Sequence, residues 1–160
     1  MTTEPAAKTE AAGQGTTPGG DLFRAAFIAE PIAVRDALRG AVARFARRIT
    51  TEDAGALELA LAEVLNNVAE HAYAEMQPGP VALYLRRAGG DLHCVIEDRG
   101  RPMPGLALPE RQLRTVATTI DDLAEGGWGW ALIRDLTADL AYSRKDGRNR
   151  LTFRIPLTAR

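Results

Sequence analysis

"AEVLNNVAEHAYAE", residues 62–75, is an amphipathic pattern with two adjacent asparagines, Asn66 and Asn67, in the middle of a predicted helix. Asparagine is a poor helix former and costs up to about 0.7 kcal/mol relative to alanine in a helix interior. Glu63 and His71 lie four residues to either side of Asn67, so the three residues share one side of a helix. A helix that needed only a solvated face would more cheaply use glutamate, lysine or glutamine. The stretch therefore raises the question of what these polar residues bind.

Each residue type in this polar stripe has a chemistry that a ligand site can use. Glutamate can accept a proton, asparagine offers a neutral oxygen to a hard cation such as Mg²⁺, and histidine can hydrogen-bond a ligand. The apolar residues of the same helix fall on a different side, and they are Leu57, Leu61, Val64, Leu65, Val68 and Ala72. Taken alone, the stripe is more typical of a solvated face without a ligand, because polar triplets at this spacing are common.

Composition limits the class of protein. The chain has 160 residues, 46% of them hydrophobic and 26% charged, which suits one α/β or α+β domain. Its 20 basic and 21 acidic side chains give a net charge of −1, which argues against direct binding of nucleic acid.

The single cysteine, Cys94, has apolar neighbours and is predicted to be a core residue in a reducing compartment. No apolar run approaches the length of a membrane span, and the N-terminus does not resemble a signal peptide, so we expect a cytoplasmic protein.

The order of predicted elements is β-α-α-β-β-loop-α-β-β. Residues 1–20 contain almost no large apolar side chains and are predicted to be a disordered tail, and residues 21–160 form the domain. The pattern predicts a strand over 22–31, helices over 32–48 and 51–75, and a hairpin over 80–100 that turns at 88–91. A long loop over 101–125, a helix ending near 135 and a second hairpin turning at 146–147 follow. This order predicts helices on one face of a mixed sheet.

Two further motifs have chemical meaning. Asp98 ends an apolar strand two residues before Gly100, and a carboxylate there could accept a hydrogen bond from an amine such as that of adenine. Gly126, Gly127 and Gly129 precede a predicted helix, where glycines let the backbone approach a phosphate. Asp-x-Gly alone is very weak evidence, because a simple β-turn has the same pattern, and the glycine cluster is equally compatible with a tight loop and a helix cap. No Gly-Lys-Ser/Thr follows, and the glycine spacing does not fit the dinucleotide-binding fingerprint.

The ordered combination is more specific than any of its parts. A helix with Glu-x3-Asn-x3-His, a hairpin ending in Asp-x-Gly, a long loop and Gly-x-Gly opening a helix resembles the nucleotide-binding fold of the GHKL superfamily (gyrase, histidine kinase, MutL and relatives). Within that superfamily the chain resembles the serine-kinase anti-sigma factors, and the resemblance covers about residues 22–157. It implies an α+β fold: a two-layer sandwich of the Bergerat type, with a mixed, mostly antiparallel sheet and helices on one face.

The resemblance also implies a role for each motif. Asn67 would hold Mg²⁺ against the phosphates of ATP, Glu63 would be the general base, and His71 would line the same pocket. Asp98 would read adenine, with Gly100 beside it. The glycine cluster of Gly126, Gly127 and Gly129 would close over the phosphates, loop 101–125 would be the ATP lid, and Thr152 would lie near adenine.

The implied function is that of an ATP-dependent protein serine/threonine kinase acting as an anti-sigma factor. Such proteins bind a sigma factor and phosphorylate an anti-anti-sigma partner of the STAS type, and homodimers are common among them. Two positions depart from the family pattern: Pro102 replaces a glycine, and Glu125 stands where some members have a basic residue. These departures leave open an alternative, a nucleotide-gated module that binds partners and has weak or no kinase activity.

Overall fold

A five-stranded sheet forms one layer of the domain. The computed structural model describes residues 21–110 and 127–159. In it the strands are β1 (Leu22–Ile28), β2 (Pro80–Ala88), β3 (Asp91–Asp98), β4 (Ala138–Lys145) and β5 (Arg148–Pro156). Their order in the sheet is β1-β2-β3-β5-β4, and each of the four pairings between these strands is antiparallel. The predicted α+β architecture is confirmed, but the described sheet is antiparallel throughout and not mixed, because each strand pairs only with neighbours that run in the opposite direction.

Three α-helices lie in the described part of the chain: α1 (Pro31–Phe45), α2 (Thr51–Asn67) and α3 (Gly127–Leu136), together with a short 3-10 helix, Pro104–Leu106, and a π-helical turn after α2. Pro31 begins α1, a position where the missing N–H costs nothing. The side chain of Thr50 caps α2 by accepting a hydrogen bond from the backbone N–H of Asp53 at 3.1 Å. None of the helices within residues 21–110 and 127–159 is both long and apolar enough to cross a bilayer.

One face of the sheet packs against the helices and forms the core. Alternation along β5 places Leu151, Phe153 and Ile155 inward, and these residues pair across the sheet with inward residues of β3. The largest fully buried side chains are Phe45, Leu57, Leu61, Leu65, Leu83, Leu85, Leu92, Ile96, Ile133, Ile155, Val64 and Cys94. Cys94 is therefore a core residue, as predicted, and burial raises the pKa of its thiol far above the ordinary value.

The end of the second helix differs from the prediction. The sequence predicts one helix over 51–75, whereas the α-helix ends at Asn67 and a π-helical turn, Val68–Ala72, follows. In this turn the backbone N–H of Tyr73 donates to the carbonyl of Val68, five residues earlier, at 3.1 Å. The wider turn changes the direction of the side chains after Asn67, so the i, i+4 spacing no longer describes His71.

The predicted tail (1–20), most of the predicted lid (111–125) and Gly126 lie outside the described residues. Both predicted hairpin turns are confirmed. Gly89 and Gly90 have φ values of 61° and 83°, and Asp146 and Gly147 have φ values of 51° and 75°.

Candidate functional site

Helix α2 carries the first two site residues on one side. Glu63 and Asn67 are half-buried, one helical turn apart, while the neighbouring Asn66 is exposed. The apolar face of α2 is buried in the core, and that burial sets the rotation of the helix about its axis. Because the rotation is set in this way, Glu63 and Asn67 are held at the boundary between the core and the surface.

Gly129 brings the glycine cluster against this pair. A Cβ atom added to Gly129 would lie 2.7 Å from Oε2 of Glu63 and 3.9 Å from Oδ1 of Asn67. Helix α3, which begins at Gly127, packs on α2 and sets this approach. Glycine at 129 therefore lets the first turn of α3 sit directly over a carboxylate and an amide. The structure thus brings Gly129 to two residues that precede it in the sequence by 66 positions (Glu63) and 62 positions (Asn67).

The amide nitrogen of Asn67, Nδ2, is buried without a partner, since it makes no hydrogen bond to any described residue. Buried polar atoms are nearly always paired in folded proteins, so an unpaired one calls for a specific explanation. A ligand with acceptor oxygens at this position would remove the cost, which is about 1–3 kcal/mol for an unsatisfied buried group.

The π-helical turn binds the loop that follows β3. The carbonyl of Ala72 accepts a hydrogen bond from the backbone N–H of Arg101 at 2.7 Å. The hydroxyl of Tyr73 accepts one from the backbone N–H of Arg99 at 2.9 Å and donates to the carbonyl of Pro80 at 2.7 Å. The residues on both sides of Gly100 are thus tied to the π-helical turn and to Tyr73, which follows it.

Gly100 lies too close to this turn for any side chain. An added Cβ would lie 2.4 Å from the carbonyl oxygen of Ala72, which is a backbone atom and cannot rotate away. The structure therefore gives Gly100, which the resemblance places beside adenine, a packing role as well.

We expect Gly100→Ala to lower the free energy of unfolding by about 1–3 kcal/mol, the usual cost of overpacking. Gly55→Ala is the matched control. It lies inside α2 with nothing within 4 Å of an added Cβ, so it should raise stability by about 1 kcal/mol. Urea unfolding of both variants measures the difference. Equal stability of Gly100→Ala and wild type would show that the loop is not held against the π-helical turn.

Asp98 is held at the helix-facing side of the sheet, and 7% of its surface is exposed. Its Oδ1 atom accepts two hydrogen bonds of 2.8 Å, one from the backbone N–H of Gly100 and one from Nδ2 of Asn149. Burial raises the pKa of the Asp98 carboxyl, while the hydrogen bonds from Asn149 and Gly100 and the charge of Arg144 oppose that rise. The protein thus keeps a poorly solvated carboxylate beside a loop.

This raised pKa has a consequence for stability. The folded state binds the Asp98 proton more tightly than the unfolded chain does. Protonation of Asp98 therefore adds to the free energy of unfolding, fully below the unfolded pKa, and this gain is lost as the pH rises through the folded pKa. Asp98→Asn should therefore be more stable than wild type at neutral pH, and its advantage should shrink as the pH is lowered. Urea unfolding over a pH series tests this. A less stable Asp98→Asn at neutral pH would mean that the hydrogen bonds of the ionised form outweigh its burial cost.

Asn149 is a site residue that our sequence interpretation missed. Its side chain is buried, with 5% of its surface exposed, and Asp98 is its partner in the β3–β5 register. The signal was present in the alternation of β5, because 149 is an inward position in the series that continues with Leu151, Phe153 and Ile155. A polar residue at such a position needs a polar partner.

Thr152 and His71 are not brought to this cluster. Thr152 pairs with Val95 in the sheet register, and both lie on the face opposite to Asp98 and Asn149. Successive residues of a strand point to opposite faces, so the side chain of Thr152 is directed away from Asp98. His71 is exposed and lies in the π-helical turn.

The residues that do come together fit a nucleotide with a divalent cation. The backbone of Gly129, at the start of a helix, lies directly against Glu63 and Asn67, and the buried amide nitrogen of Asn67 has no hydrogen-bond acceptor among the described residues. Within residues 21–110 and 127–159 there is no group of three His, Cys, Asp or Glu side chains that could hold a metal alone. Magnesium is usually held by one or two protein ligands together with phosphate oxygens, and that is the kind of site that Asn67 could complete.

Comparison with known proteins agrees with this geometry. The model of the histidine kinase-like ATPase domain family matches residues 27–155. The serine/threonine-protein kinase BtrW of Bordetella bronchiseptica is 34% identical over 100 residues, which cover 61% of this chain and 66% of that kinase.

A solved structure has the same fold. The RsbU and RsbW domains of a Mycobacterium tuberculosis protein match with a TM-score of 0.61 and 18% identity. The match covers 87% of this chain and 33% of that protein. The predicted resemblance to the GHKL superfamily is confirmed, since the family match spans most of the chain and the fold likeness spans more. The chain belongs to the histidine kinase-like ATPase domain family.

Proposed function

We propose that this protein is an ATP-dependent serine/threonine kinase that acts as an anti-sigma factor. It would bind a sigma factor and phosphorylate a STAS-type anti-anti-sigma protein. The observation that carries the proposal is the close approach of Gly129 to Glu63 and Asn67, with the buried Asn67 amide unpaired. Similarity to the kinase BtrW and the fold likeness to a protein with an RsbW domain support this choice among the activities of the family.

The roles of the polar residues follow from their chemistry. Mg²⁺ would neutralise charge on the ATP phosphates, and Oδ1 of Asn67 would be its protein ligand. Glu63 would accept the proton of the partner's serine hydroxyl while that oxygen attacks the γ-phosphorus and the bond from the γ-phosphorus to the ADP oxygen breaks. Asp98 would accept a hydrogen bond from the adenine amine. His71 and Thr152, which the resemblance also places near the nucleotide, would need a rearrangement to reach it.

The phosphates would depend on the start of α3 for backbone contacts. Residues 99–103, the beginning of the loop, have no free backbone N–H to offer, because Pro102 lacks one and the other four are engaged. Their acceptors in chain order are Tyr73 Oη, Asp98 Oδ1, the Ala72 carbonyl and Tyr142 Oη. The N-terminal turn of α3, with Gly127 and Gly129, is the described element that could supply N–H groups and a favourable dipole. Gly126 lies outside the described residues, and we propose on the family resemblance alone that it also binds phosphate.

The loss of one N–H at Pro102 favours a second candidate function. In this alternative the protein binds ATP as a signal and changes its affinity for partners, with weak or no phosphoryl transfer. The two functions differ in a single observable, which is covalent phosphate on the partner.

The direct test uses the full chain, ATP with Mg²⁺ and a purified STAS-domain anti-anti-sigma protein. Phosphoserine or phosphothreonine on that protein, together with nucleotide-dependent capture of a sigma factor, is the result we expect. Nucleotide-dependent capture without phosphorylation would select the alternative. No binding of ATP by the folded protein would overturn both. Light scattering of the same sample would show whether the chain forms the homodimer that the resemblance implies.

A further inference from the structure

Two strands at one side of the sheet contribute a cluster of polar side chains that converge on Asn149. From β4, the hydroxyl of Tyr142 donates to Oδ1 of Asn149 at 2.6 Å, and the guanidinium of Arg144 donates to the same oxygen at 2.8 Å. We call Tyr142, Arg144 and Asn149 the hairpin network, because β4 and β5 form a hairpin. The amide oxygen of Asn149 therefore has two donors, one of them charged.

These donors set the direction of the Asn149 amide. Since Oδ1 faces Tyr142 and Arg144, Nδ2 must face the other way, where it donates at 2.8 Å to Oδ1 of Asp98 and at 2.8 Å to the carbonyl of Arg101. A rotation of the amide by half a turn would place its N–H groups against the donors of Arg144. The hairpin network thus keeps the NH2 group of Asn149 directed toward Asp98.

The carboxylate of Asp98 is consequently held by one oxygen. Both the Asn149 side chain and the backbone N–H of Gly100 bind Oδ1, and none of the described residues hydrogen-bonds Oδ2. An ionised carboxylate is an acceptor only, so Oδ2 is the atom left to accept a hydrogen bond from a ligand.

The same network holds the segment that leads into the predicted lid. Arg144 donates to the carbonyl of Gly100 at 2.9 Å, and the hydroxyl of Tyr142 accepts from the backbone N–H of Met103 at 3.0 Å. Asn149, Arg144 and Tyr142 therefore bind three points of residues 100–103 while they orient Asp98. A substitution in this network would therefore change both the orientation of Asp98, the proposed base-reading carboxylate, and the position of residues 100–103.

We propose that Asn149, oriented by Tyr142 and Arg144, is the positioning residue for nucleobase selection, because it turns Oδ2 of Asp98 toward the exocyclic amine of adenine. The inference rests on the proposed ATP site. A base with an oxygen at the same position would bring two acceptors together and be rejected, and a base with neither group would lose one charge-assisted hydrogen bond.

The test compares three nucleotides by calorimetric titration into the full chain: ATP, GTP and purine riboside triphosphate, which lacks the 6-amino group. We expect wild type to prefer ATP over the purine analogue by about tenfold or more, the value of one hydrogen bond to a charged group. In Asn149→Leu that preference should fall to about threefold or less. Tyr142→Phe removes only a hydroxyl from the network and should give an intermediate ratio.

Ser143→Ala is the matched control. Ser143 lies between the two β4 members of the network, but it is exposed and directed to the opposite face, so its nucleotide preference should equal that of wild type. A reduced preference in Ser143→Ala as large as that in Asn149→Leu would count against a specific network.

The pH profile gives a second readout that a purely structural role would not move. The groups around Asp98 are Asn149 and Arg144 from the hairpin, Gly100 in the loop, and Tyr73 at the π-helical turn. Loss of the Asn149 hydrogen bond removes an interaction that lowers the pKa of Asp98, so the acidic limit of ATP binding should move to higher pH in Asn149→Leu.

The possible outcomes separate this inference from the proposed function. If Asn149→Leu and Tyr142→Phe weaken ATP and the purine analogue by the same factor, or change neither, the positioning role is overturned while the ATP site stands. If wild type binds none of the three nucleotides, the proposed function itself fails. Because Tyr142→Phe is a conservative change, it decides the matter even where Asn149→Leu does not fold.

Discussion

Replacing Glu63 with glutamine should leave ATP binding intact and slow phosphoryl transfer to the partner by about a hundredfold to ten-thousandfold, the usual contribution of a general base. Glutamine has nearly the same shape, so it preserves the close contact with Gly129, where an added Cβ would lie 2.7 Å from Oε2. It can still hydrogen-bond the acceptor hydroxyl but cannot take its proton at neutral pH. The measurement is the rate of partner phosphorylation on a phosphate-affinity gel, with ATP affinity measured separately by calorimetry.

Glu58→Gln provides the control for Glu63→Gln. Glu58 lies on the same helix and is exposed, so the change removes the same charge without touching the site. Transfer by Glu58→Gln should match wild type. A Glu63→Gln variant that phosphorylates the partner at the wild-type rate would remove Glu63 from the role of base, and a variant that no longer binds ATP would point to a role in nucleotide binding instead.

Asn67→Ala should weaken Mg²⁺-dependent ATP binding by about tenfold to a hundredfold, the range for losing one interaction with a charged partner. Its effect on folding should be small. The Nδ2 atom is buried without a hydrogen bond to any residue in the described part of the chain, so the substitution breaks no such bond of that atom. The loss would therefore appear in calorimetric titrations of ATP with Mg²⁺ and not in urea unfolding.

Asn66→Ala is an unusually close control, because Asn66 precedes Asn67 directly and is exposed. Its ATP affinity with Mg²⁺ should equal that of wild type. Repeating the titrations in EDTA assigns the role of Asn67. If Asn67→Ala reduces binding equally with and without Mg²⁺, the amide contacts the nucleotide itself and is not a metal ligand. Equal losses in the two asparagine variants would show that a general property of the helix is responsible.

Much of the fold could be predicted because its signals are local. The alternation of β5 is set by which side chains the core must bury, and the turn at Gly89 and Gly90 by backbone angles that glycine adopts at low cost. The stripe of Glu63 and Asn67 on α2 follows from the helical period alone. These features depend on residues a few positions apart, so the sequence carries them in full.

Thr152 shows that a family expectation and a local pattern can disagree. The apolar residues at 151, 153 and 155 already direct Thr152 outward, and its pairing with Val95 confirms that direction. The same pattern marks Asn149 as an inward polar residue that needs a partner. What the pattern cannot supply is the identity of that partner.

The sequence by itself determined the elements, the core face of each strand, the predicted family resemblance and the residue types available for chemistry. Only the tertiary structure decided how they meet. Gly129 reaches Glu63, Asn149 reaches Asp98, and the carbonyl of Ala72 binds Arg101 because separate elements pack at particular angles and registers. The π-helical turn after Asn67 was likewise decided by the tertiary structure, since its Ala72 carbonyl binds Arg101, which lies 29 residues further along the chain. Such contacts depend on the free energy of the whole packed domain, and no short stretch of sequence contains that information.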